Sequence, residues 1–378
     1  MLAAVPSMIG QFNMENIRLL LDMGYEVHVA CNFNDTSVWT KERTKEFKYR
    51  LKELEVHYHQ IEFCRSPKEI KRIIQSYRQM DVLLKREKFR FVHCHTPVAA
   101  AVCRLACHRN QVKVIYTAHG FHFYDGAPIK NWLFYYPVEW LCSWWTDVLI
   151  AINKEDYRRA KRRLHAKKTV YVPGVGVDTE KFKPDVACRE KKREELGLKE
   201  TDIMLLSVGE LNKNKNHAVV IRALVALNNK SIHYFIAGQG ELKEKLLQLA
   251  GRLGIRRRVH LLGYRSDVPE LMQAADIYAL PSIREGLNVS LMEAMASGLP
   301  CIAGRIRGNT DLVPDENCLA EATDMKEWKR MLENMTINLK SRENPYGEKN
   351  RKQMKRYDIS CVNQKMKQIY ESIPEGRA

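Results

Sequence analysis

Short apolar runs alternate with segments of helical hydrophobic spacing along most of the chain. In the first half, the pattern of buried strands occurs at residues 2–5, 25–30, 90–94, 113–117 and 147–152. Residues 14–23 instead place apolar side chains at helical spacing, and Gly24 ends that pattern. Strands that alternate with helices pair in parallel, because each crossover helix returns the chain to the same edge of the sheet. The pattern therefore predicts an α/β fold with helices on both faces of a parallel sheet.

A segment rich in glycine and proline interrupts this alternation, and the pattern of strands and helices begins again after it. Residues 172–178 hold two glycines and one proline, and Pro184 adds another break. Beyond it, strands are predicted at 203–208, 233–237, 259–262, 277–280 and 300–303, and helices at 189–196, 217–227, 241–253 and 289–296. Residues 354–373 predict one or two further amphipathic helices. The restart indicates two domains of one architecture, which meet near residues 175–188.

Composition and charge narrow the class of protein. The chain has 378 residues, of which 45% are hydrophobic and 28% charged, as in folded proteins of about two domains. Its net charge of +17 indicates a polyanionic neighbour: nucleic acid, an anionic membrane or a phosphorylated ligand. We find no zinc-finger, basic-zipper or RNA-recognition pattern, so nucleic acid is the weakest of the three. With no signal-peptide pattern and no apolar run of membrane-spanning length, the sequence predicts a cytoplasmic protein.

The cysteines do not predict a metal site. Ten cysteines are scattered without a Cys-x-x-Cys pair, and Cys103 and Cys107 lack a second pair to complete a zinc site. His93 and His95 alternate along a predicted strand and share one face. Reduced thiols in a cytosolic protein are the better interpretation, and no metal is expected.

Two glutamates follow the predicted strand 277–280. Glu285 and Glu293 have seven residues between them, Gly286 permits a tight turn, and a helix begins near Asn288. Open α/β sheets bind ligands beyond the carboxyl ends of their strands, where the N–H groups of a helix start favour phosphate. Carboxylates there can accept hydrogen bonds from sugar hydroxyls. Alternatively, both are acids that complement the helix dipole.

Two other segments place polar residues at strand ends. The loop after strand 203–208 contains Gly209, Lys213 and Lys215, and a lysine there can neutralise a diphosphate. His119 stands beside Gly120 at the end of strand 113–117, where it can face a cleft between domains. The alternatives are a solvated loop lysine and a histidine that serves packing.

Several nucleotide-binding patterns are absent. The segment Gly238-Gln-Gly240 lies between a strand and a helix, but position 243 is Lys rather than the glycine of a dinucleotide fingerprint. There is no P-loop pattern and no Asp-x-Asp metal-binding pair. An enzyme handling nucleotide diphosphates with this sequence would use lysines and helix N-termini to stabilise the leaving group.

Together these segments resemble the retaining glycosyltransferases of family 4, which have the GT-B fold. The segments that carry the resemblance are Tyr116-Thr-Ala-His-Gly-Phe-His-Phe-Tyr124, Asn153-Lys-Glu-Asp-Tyr157, Val208-Gly-Glu-Leu-Asn-Lys-Asn-Lys-Asn-His217 and Arg284-Glu-Gly-Leu287. The sequences of these segments are most similar to those of EpsD-like enzymes of bacterial exopolysaccharide and capsule synthesis. The resemblance implies two Rossmann-like domains with parallel sheets facing across a cleft. They would span residues 1–180 and 181–356, with 357–378 returning to the first domain as a helix.

The resemblance also implies roles for individual residues. Lys215 would bind the donor diphosphate, Glu293 the nucleotide ribose, and Glu285 and His119 the donor sugar at the reaction centre. The implied donor-binding set is Gly209, Lys215, Tyr264, Arg265, Glu285, Gly286, Leu287, Asn288, Val289 and Glu293. The loop from Pro6 to Phe12 would approach both substrates. Glu210 departs from the family, in which an arginine commonly provides a second cation at that position; Lys213 or Arg307 could substitute.

The resulting hypothesis is a metal-independent hexosyltransferase without a cofactor. The expected donor is a nucleotide-diphosphate sugar, specifically a UDP-sugar. The expected acceptor is a saccharide on a polyprenyl diphosphate. The aromatic stretch 132–145 and the basic run 154–168 predict a peripheral contact with an anionic membrane at its inner face. A buried helix followed by a solvated basic helix is the alternative. A UDP-sugar 2-epimerase of the same fold and a basic nucleic-acid-binding protein are the other candidate functions.

Overall fold

The computed structural model describes residues 1–340 and 345–374, which form two compact units. The amino-terminal unit comprises Met1–Val175 together with the chain from Val362 onward, and the carboxy-terminal unit comprises Gly176–Cys361. Residues 341–344, within the predicted second domain, and 375–378, within the predicted returning helix, lie outside the described residues. Each unit is an α/β fold around a parallel sheet, as the alternating pattern predicts.

The sheet of the amino-terminal unit is parallel throughout its named strands. These are β1 (His28–Cys31), β2 (His57–Gln60), β3 (Phe91–His95), β4 (Lys113–Ala118), β5 (Val148–Ala151) and β6 (Lys168–Tyr171). Strands β3 to β6 pair in chain order, and β1 pairs with β2. The first residues lie between the two sets, because the Leu2 N–H donates to His93 O (2.9 Å) and the Ala3 N–H to Ala30 O (3.1 Å).

The expected strand at residues 2–5 and the expected loop at 6–12 both differ in the structure. Only Leu2 forms ladder bridges, to Ala30 and Cys94. Pro6 begins a helix directly afterwards, since its fixed φ and missing N–H suit the first helical position. This helix packs so closely that a Cβ on Gly10 would lie 2.3 Å from the Trp39 ring. The prediction of a loop from Pro6 to Phe12 was therefore wrong.

Helices cover both faces of this sheet. They are α1 (Pro6–Phe12), α2 (Met14–Asp22), α3 (Lys41–Glu53), α4 (Ile70–Arg86), α5 (Pro97–Arg109), α6 (Ile129–Ser143) and α7 (Lys154–Arg163). Two clusters of buried apolar side chains lie against the sheet, and every residue of β5 is buried. Burial on both faces explains why these strands appear as continuous apolar runs in the sequence.

The carboxy-terminal unit has a six-stranded parallel sheet in the order β12-β11-β10-β7-β8-β9. Its strands are β7 (Ile203–Val208), β8 (Ile232–Ala237), β9 (Val259–Gly263), β10 (Ile277–Leu280), β11 (Cys301–Gly304) and β12 (Leu319–Ala320). Its helices are α8 (Val186–Glu195), α9 (His217–Leu227), α10 (Lys243–Arg252), α11 (Val268–Ala274), α12 (Val289–Ala296), α13 (Asn309–Leu312), α14 (Met325–Lys340) and α15 (Pro345–Met354). The strand order reverses direction at β7 and β10, and such switch points are where open α/β sheets bind ligands.

The last helix, α16 (Ile359–Glu371), completes the amino-terminal unit. Its apolar face contributes Val362, Met366, Ile369 and Tyr370 to a core cluster of that unit. The Tyr370 hydroxyl lies 3.0 Å from His93 Nδ1 on β3. The helix therefore covers one face of the first sheet.

Candidate functional site

Three loops at the carboxyl ends of β7, β10 and β11 build the candidate site of the carboxy-terminal unit. The first loop carries Lys215 and the second carries Glu285, and Lys215 Nζ lies 2.6 Å from Glu285 Oε1. Both side chains are mostly withdrawn from solvent, with exposed fractions of 16% and 14%. The structure thus brings two residues that are 70 positions apart into one ion pair, in which Glu285 balances the charge of Lys215.

The first two loops are joined by two hydrogen bonds of Asn214, the residue before Lys215, which accepts one and donates the other. The Ile283 N–H donates to Asn214 O (2.8 Å), and Asn214 Nδ2 donates to Arg284 O (2.9 Å). Within the first loop, the Lys215 N–H donates to Asn212 Oδ1 (3.0 Å). These bonds fix the backbone on both sides of the ion pair, so its position does not depend on the flexible lysine side chain alone.

Two glycines permit a close approach of backbone in this region. A Cβ on Gly209 would lie 3.1 Å from Lys215 Cε, and a Cβ on Gly238 would lie 1.8 Å from Gly209 O. Gly209 therefore leaves room for the lysine side chain. Gly238 lets its loop pack against the lysine loop, which gives Gly238-Gln-Gly240 a structural role in place of dinucleotide binding.

The start of α12 presents backbone donors beside Glu285. Asn288 caps this helix by accepting a hydrogen bond from the Leu291 N–H (2.9 Å). Among the residues that the structure describes, none accepts a hydrogen bond from the backbone N–H of Gly286 or Leu287. Unused amide donors at a helix N-terminus attract anionic groups such as phosphate. The amides of Gly286 and Leu287 are therefore available to an anionic ligand.

Glu293 lies within α12, where burial raises the pKa of its carboxyl to about 7, opposed by the positive charge of Lys181. In the described part of the chain, no side chain or backbone group donates a hydrogen bond to this carboxylate. A desolvated carboxyl without a partner is costly unless a ligand or function requires it. Glu293 is therefore available to accept hydrogen bonds from a bound ligand.

The loop after β11 adds two residues that are absent from the predicted site set. Arg307, only 8% exposed, donates from Nε to Glu285 O (3.2 Å). A Cβ on Gly308 would lie 2.1 Å from Gly286 O, so only glycine allows this loop to reach the Glu285 loop. Of the two cations considered as substitutes for the missing family arginine, Arg307 contacts the site and Lys213 is exposed. The sequence signal for this loop was Gly304, which directly follows the predicted strand 300–303.

Tyr264 and Arg265 follow β9 and differ in their availability. Tyr264 is 62% exposed, next to Gly263, whose carbonyl accepts from the Gly238 N–H (2.7 Å). Arg265 is held by Asp267, with Nε 2.7 Å from Oδ1, and also contacts Glu195. The guanidinium lowers the pKa of the Asp267 carboxyl strongly. Arg265 is thus engaged in an ion pair on its own loop.

His119 follows directly after β4 in the amino-terminal unit and pairs with the buried His95. Its Nε2 lies 3.0 Å from His95 Nδ1. His95 was missed as a site residue, although it alternates with His93 on β3 and pairs in register with Thr117. Burial lowers the pKa of His119 to about 4 and that of His95 well below its usual range, so both are neutral near pH 7.

The hydrogen bonds of His95 fix the tautomer of His119. His95 Nε2 lies 3.0 Å from Met1 Sδ, and a thioether can only accept, so His95 carries its proton on Nε2. Its Nδ1 is then the acceptor for His119 Nε2–H. His119 Nδ1 is consequently unprotonated, and in the described residues it has no donor. It can accept a hydrogen bond from a hydroxyl.

One group of residues could hold a metal ion, at a different edge of the amino-terminal sheet. Glu26 Oε1 lies 3.1 Å from His28 Nε2 and 3.1 Å from His57 Nε2, at the starts of β1 and β2. His119 lies at the carboxyl end of β4 instead. Cys103 and Cys107, for which the sequence predicts no metal site, are buried free thiols with their sulfurs 3.8 Å apart. None of the described helices is long and apolar enough to cross a membrane.

Comparison with known proteins places the chain in a family. Residues 188–353 match the model described as glycosyl transferases group 1, and residues 9–181 match glycosyltransferase family 4. EpsD of Bacillus subtilis (strain 168), named as a glycosyltransferase, is 38% identical over 311 residues, which cover 80% of this chain and 77% of EpsD. An Escherichia coli UDP-Gal:alpha-D-GlcNAc-diphosphoundecaprenol alpha-1,3-galactosyltransferase is 33% identical over 257 residues, 66% of this chain and 65% of that enzyme.

The fold is likewise shared with solved structures. Anabaena Alr3699/HepE, crystallised in complex with UDP-glucose, superposes with a TM-score of 0.78 at 19% identity. The superposition covers 98% of this chain and 99% of HepE. The two matched domains and their parallel sheets confirm the GT-B fold. With the identity to EpsD over four fifths of the chain, they show that this protein belongs to the family 4 glycosyltransferases.

Proposed function

We propose that this enzyme transfers a hexosyl group from a UDP-sugar to a saccharide linked to a polyprenyl diphosphate, with retention at the anomeric carbon. The observation that carries the proposal is the Lys215–Glu285 pair beside the unused amides of Gly286 and Leu287 and the unpartnered carboxyl of Glu293. Two similar proteins support the choice of substrates: HepE was crystallised with UDP-glucose, and the E. coli relative is a galactosyltransferase that acts on a diphosphoundecaprenol-linked sugar.

The donor would be bound by the carboxy-terminal unit. Lys215 and the amides of residues 286–289 stabilise the diphosphate, Gly209 leaves room for the lysine, and Glu293 accepts hydrogen bonds from the ribose hydroxyls. The uracil ring of the donor lies near Tyr264. Arg307 supplies the second positive charge that Glu210 does not. Because these groups can neutralise the leaving diphosphate, the reaction needs neither a metal ion nor a cofactor.

The transfer exchanges one carbon–oxygen bond for another. The bond between the anomeric carbon and the donor phosphate oxygen breaks, and a bond from that carbon to the acceptor oxygen forms. The acceptor proton passes to the departing phosphate, so no separate base is required. Diphosphate binding draws Lys215 from Glu285, whose carboxylate then faces the donor sugar. His119 accepts a hydrogen bond from a sugar hydroxyl through Nδ1.

A donor screen tests this proposal directly. Purified protein is incubated with UDP-sugars, with and without an extract of acceptor lipids, and UDP release is measured in buffer containing EDTA. We expect acceptor-dependent UDP release that EDTA does not abolish, and an axial anomeric linkage by NMR if the donor sugar is α-linked. A UDP-sugar 2-epimerase would instead convert the donor alone. Loss of activity in EDTA or an inverted linkage would contradict the metal-independent or the retaining part of the proposal.

We also propose that the enzyme works at an anionic membrane in exopolysaccharide or capsule synthesis, with no role for nucleic acid. Helix α6 exposes large apolar side chains, among them Ile129 (77% exposed), Leu133 (74%) and Phe134 (51%). Helix α7 exposes Lys161, Arg162 and Arg163, whereas Arg159 is buried in ion pairs with Asp125 and Asp156. Part of the basic run therefore serves the fold, and the remainder faces solvent.

Liposome flotation distinguishes this surface from ordinary exposed residues. We expect the protein to float with vesicles containing anionic lipid and to bind neutral vesicles less, because each near-surface cation gains about 1 kcal/mol on anionic lipid. Leu133→Ser should weaken flotation. The matched control, Leu105→Ser, removes an exposed leucine from α5 (42% exposed) and should leave flotation unchanged. Equal binding to neutral and anionic vesicles would contradict the electrostatic component.

The raised pKa of Glu293 predicts a pH dependence of UDP binding. Its carboxyl, with a pKa of about 7, is protonated at pH 6 and ionised at pH 8. A charged acceptor forms hydrogen bonds stronger by about 1 kcal/mol than a neutral one, so UDP should bind roughly fivefold more tightly at pH 8. Titration calorimetry measures this. Glu293→Gln should abolish the increase and retain only the contribution of UDP's own phosphate titration; an unchanged pH profile in that variant would refute the assignment.

A further inference from the structure

An apolar cavity lies inside the amino-terminal unit, apart from the residues assigned to donor binding. It has a volume of about 220 Å³ and is enclosed by α5, α6 and the segment after His119. Val98 and Ala101 of α5, Val138 of α6, and Phe121 and Phe123 supply much of its wall. Glu139 also lines the cavity, but its carboxylate is bound by Arg104 at 2.5 and 3.1 Å. The cavity consequently offers a ligand carbon surface with few polar partners.

The cavity is continuous with the loop that carries His119 and with the protein surface. Gly120, the neighbour of His119, contributes to its lining. Phe134 and Val138 line it from α6 and are also 51% and 46% exposed, so the cavity opens beside them. An occupant could thus extend from the polar surroundings of His119 along an apolar path to the exposed face of α6.

Exposed basic residues lie in the chain next to two parts of the cavity wall. Pro67 lines the cavity, and its neighbours in the chain include Arg65 and Lys68, both exposed. Lys130 is exposed near the start of α6. Cations beside an apolar cavity complement a molecule that joins an anionic head to a hydrocarbon chain. A free sugar or a nucleotide matches this mainly carbon-lined wall poorly, since Tyr116, His122 and Tyr135 are the few polar side chains there besides the paired Glu139.

We propose that this cavity binds the first isoprene units of the lipid that carries the acceptor, with its diphosphate beside Arg65 and Lys68. The proposal rests on the function proposed above, because it assigns a place to the lipid part of that acceptor. It separates recognition of the acceptor into two parts: the saccharide near His119 and the hydrocarbon between α5 and α6. The exposed apolar face of α6 would receive the remainder of the chain.

Binding of farnesyl diphosphate tests the cavity without knowledge of the saccharide. We expect wild-type protein to bind farnesyl diphosphate at least tenfold more tightly than inorganic diphosphate, as measured by titration calorimetry. Ala101→Trp fills the cavity and should remove that difference. Leu105→Trp introduces the same side chain one turn later on α5, at an exposed residue outside the cavity lining, and should preserve it. Equal affinities of wild-type protein for the two diphosphates, or unchanged binding by Ala101→Trp, would overturn the proposal.

Two further measurements keep the result interpretable. Thermal unfolding of Ala101→Trp should match that of the wild type, which shows that its amino-terminal unit is folded, and equal UDP binding shows that its donor site is intact. If Ala101→Trp does not fold, a photoreactive farnesyl diphosphate analogue should label peptides from 97–109 or 129–143, and labelling confined to other peptides would overturn the proposal. Binding of farnesyl diphosphate without any sugar transfer would contradict the proposed function and leave the lipid site standing. A rate of sugar transfer that does not depend on the length of the acceptor lipid would contradict the lipid site and leave the proposed function standing.

Discussion

Replacing Lys215 with alanine is expected to lower the rate of sugar transfer by about 10–150-fold. A charge-assisted hydrogen bond contributes about 1.5–3 kcal/mol, and it is lost from the transition state if the lysine stabilises the departing diphosphate. The effect should fall on kcat more than on KM, because charge on the diphosphate increases as the sugar departs. Steady-state UDP release with the donor found in the screen measures both constants.

The neighbouring lysine supplies the matched control. Lys213 lies two residues earlier in the same loop and is exposed, so Lys213→Ala removes the same charge from the loop without removing the contact to Glu285. We expect it to retain near wild-type activity. A Lys215→Ala variant that turns over donor at the wild-type rate would refute the assigned role. Equal losses in the two variants would indicate a general effect of charge instead.

Replacing Arg104 with methionine is expected to destabilise the amino-terminal unit by about 3–5 kcal/mol, since it leaves a buried carboxylate without its partner. Arg104 is fully buried on α5, pairs with both oxygens of Glu139 on α6, and lies 4.2 Å from the centre of the Tyr116 ring. Thermal unfolding followed by circular dichroism should show a transition lowered by on the order of 10 °C.

A double variant separates loss of the ion pair from loss of packing. Arg104→Met with Glu139→Leu replaces both charges by apolar groups, and it should recover most of the lost stability because no charge remains buried. Arg109→Met, at an exposed position on the same helix, should change the transition little. A double variant as unstable as Arg104→Met alone would mean that packing of the arginine side chain, rather than charge pairing, stabilises this region.

Much of the site could be located in the sequence because strand ends are local features. The apolar run 277–280 followed by Glu285-Gly286 marks where a strand stops and a ligand-facing loop begins. The same holds for Gly209 and for His119-Gly120. Asn288 as a helix cap was equally readable, because capping depends on residues within one turn. The polar edge strand β2 was not identified, since His57–Gln60 lacks an apolar face.

Contacts between segments that are distant in the chain could not be predicted from local sequence patterns. No spacing pattern relates Arg307 to the backbone of Glu285, or Gly308 to Gly286, because these meet only when β10 and β11 pair in the sheet. The histidine pair His95–His119 likewise requires β3 and β4 to align. The apolar cavity depends on the spacing between α5 and α6, which is set by packing around the Arg104–Glu139 pair.

The sequence by itself determined the alternation of strands and helices, the division into two similar halves, and the loops in which chemistry is concentrated. Each of these follows from local hydrophobic periodicity and from residues that start or end an element. Only the tertiary structure decided that Lys215 is paired with Glu285, that Glu293 is desolvated with a raised pKa, and that His119 presents an unprotonated nitrogen. Charge state and hydrogen-bond direction depend on burial and on partners distant in the chain, which the order of residues does not contain.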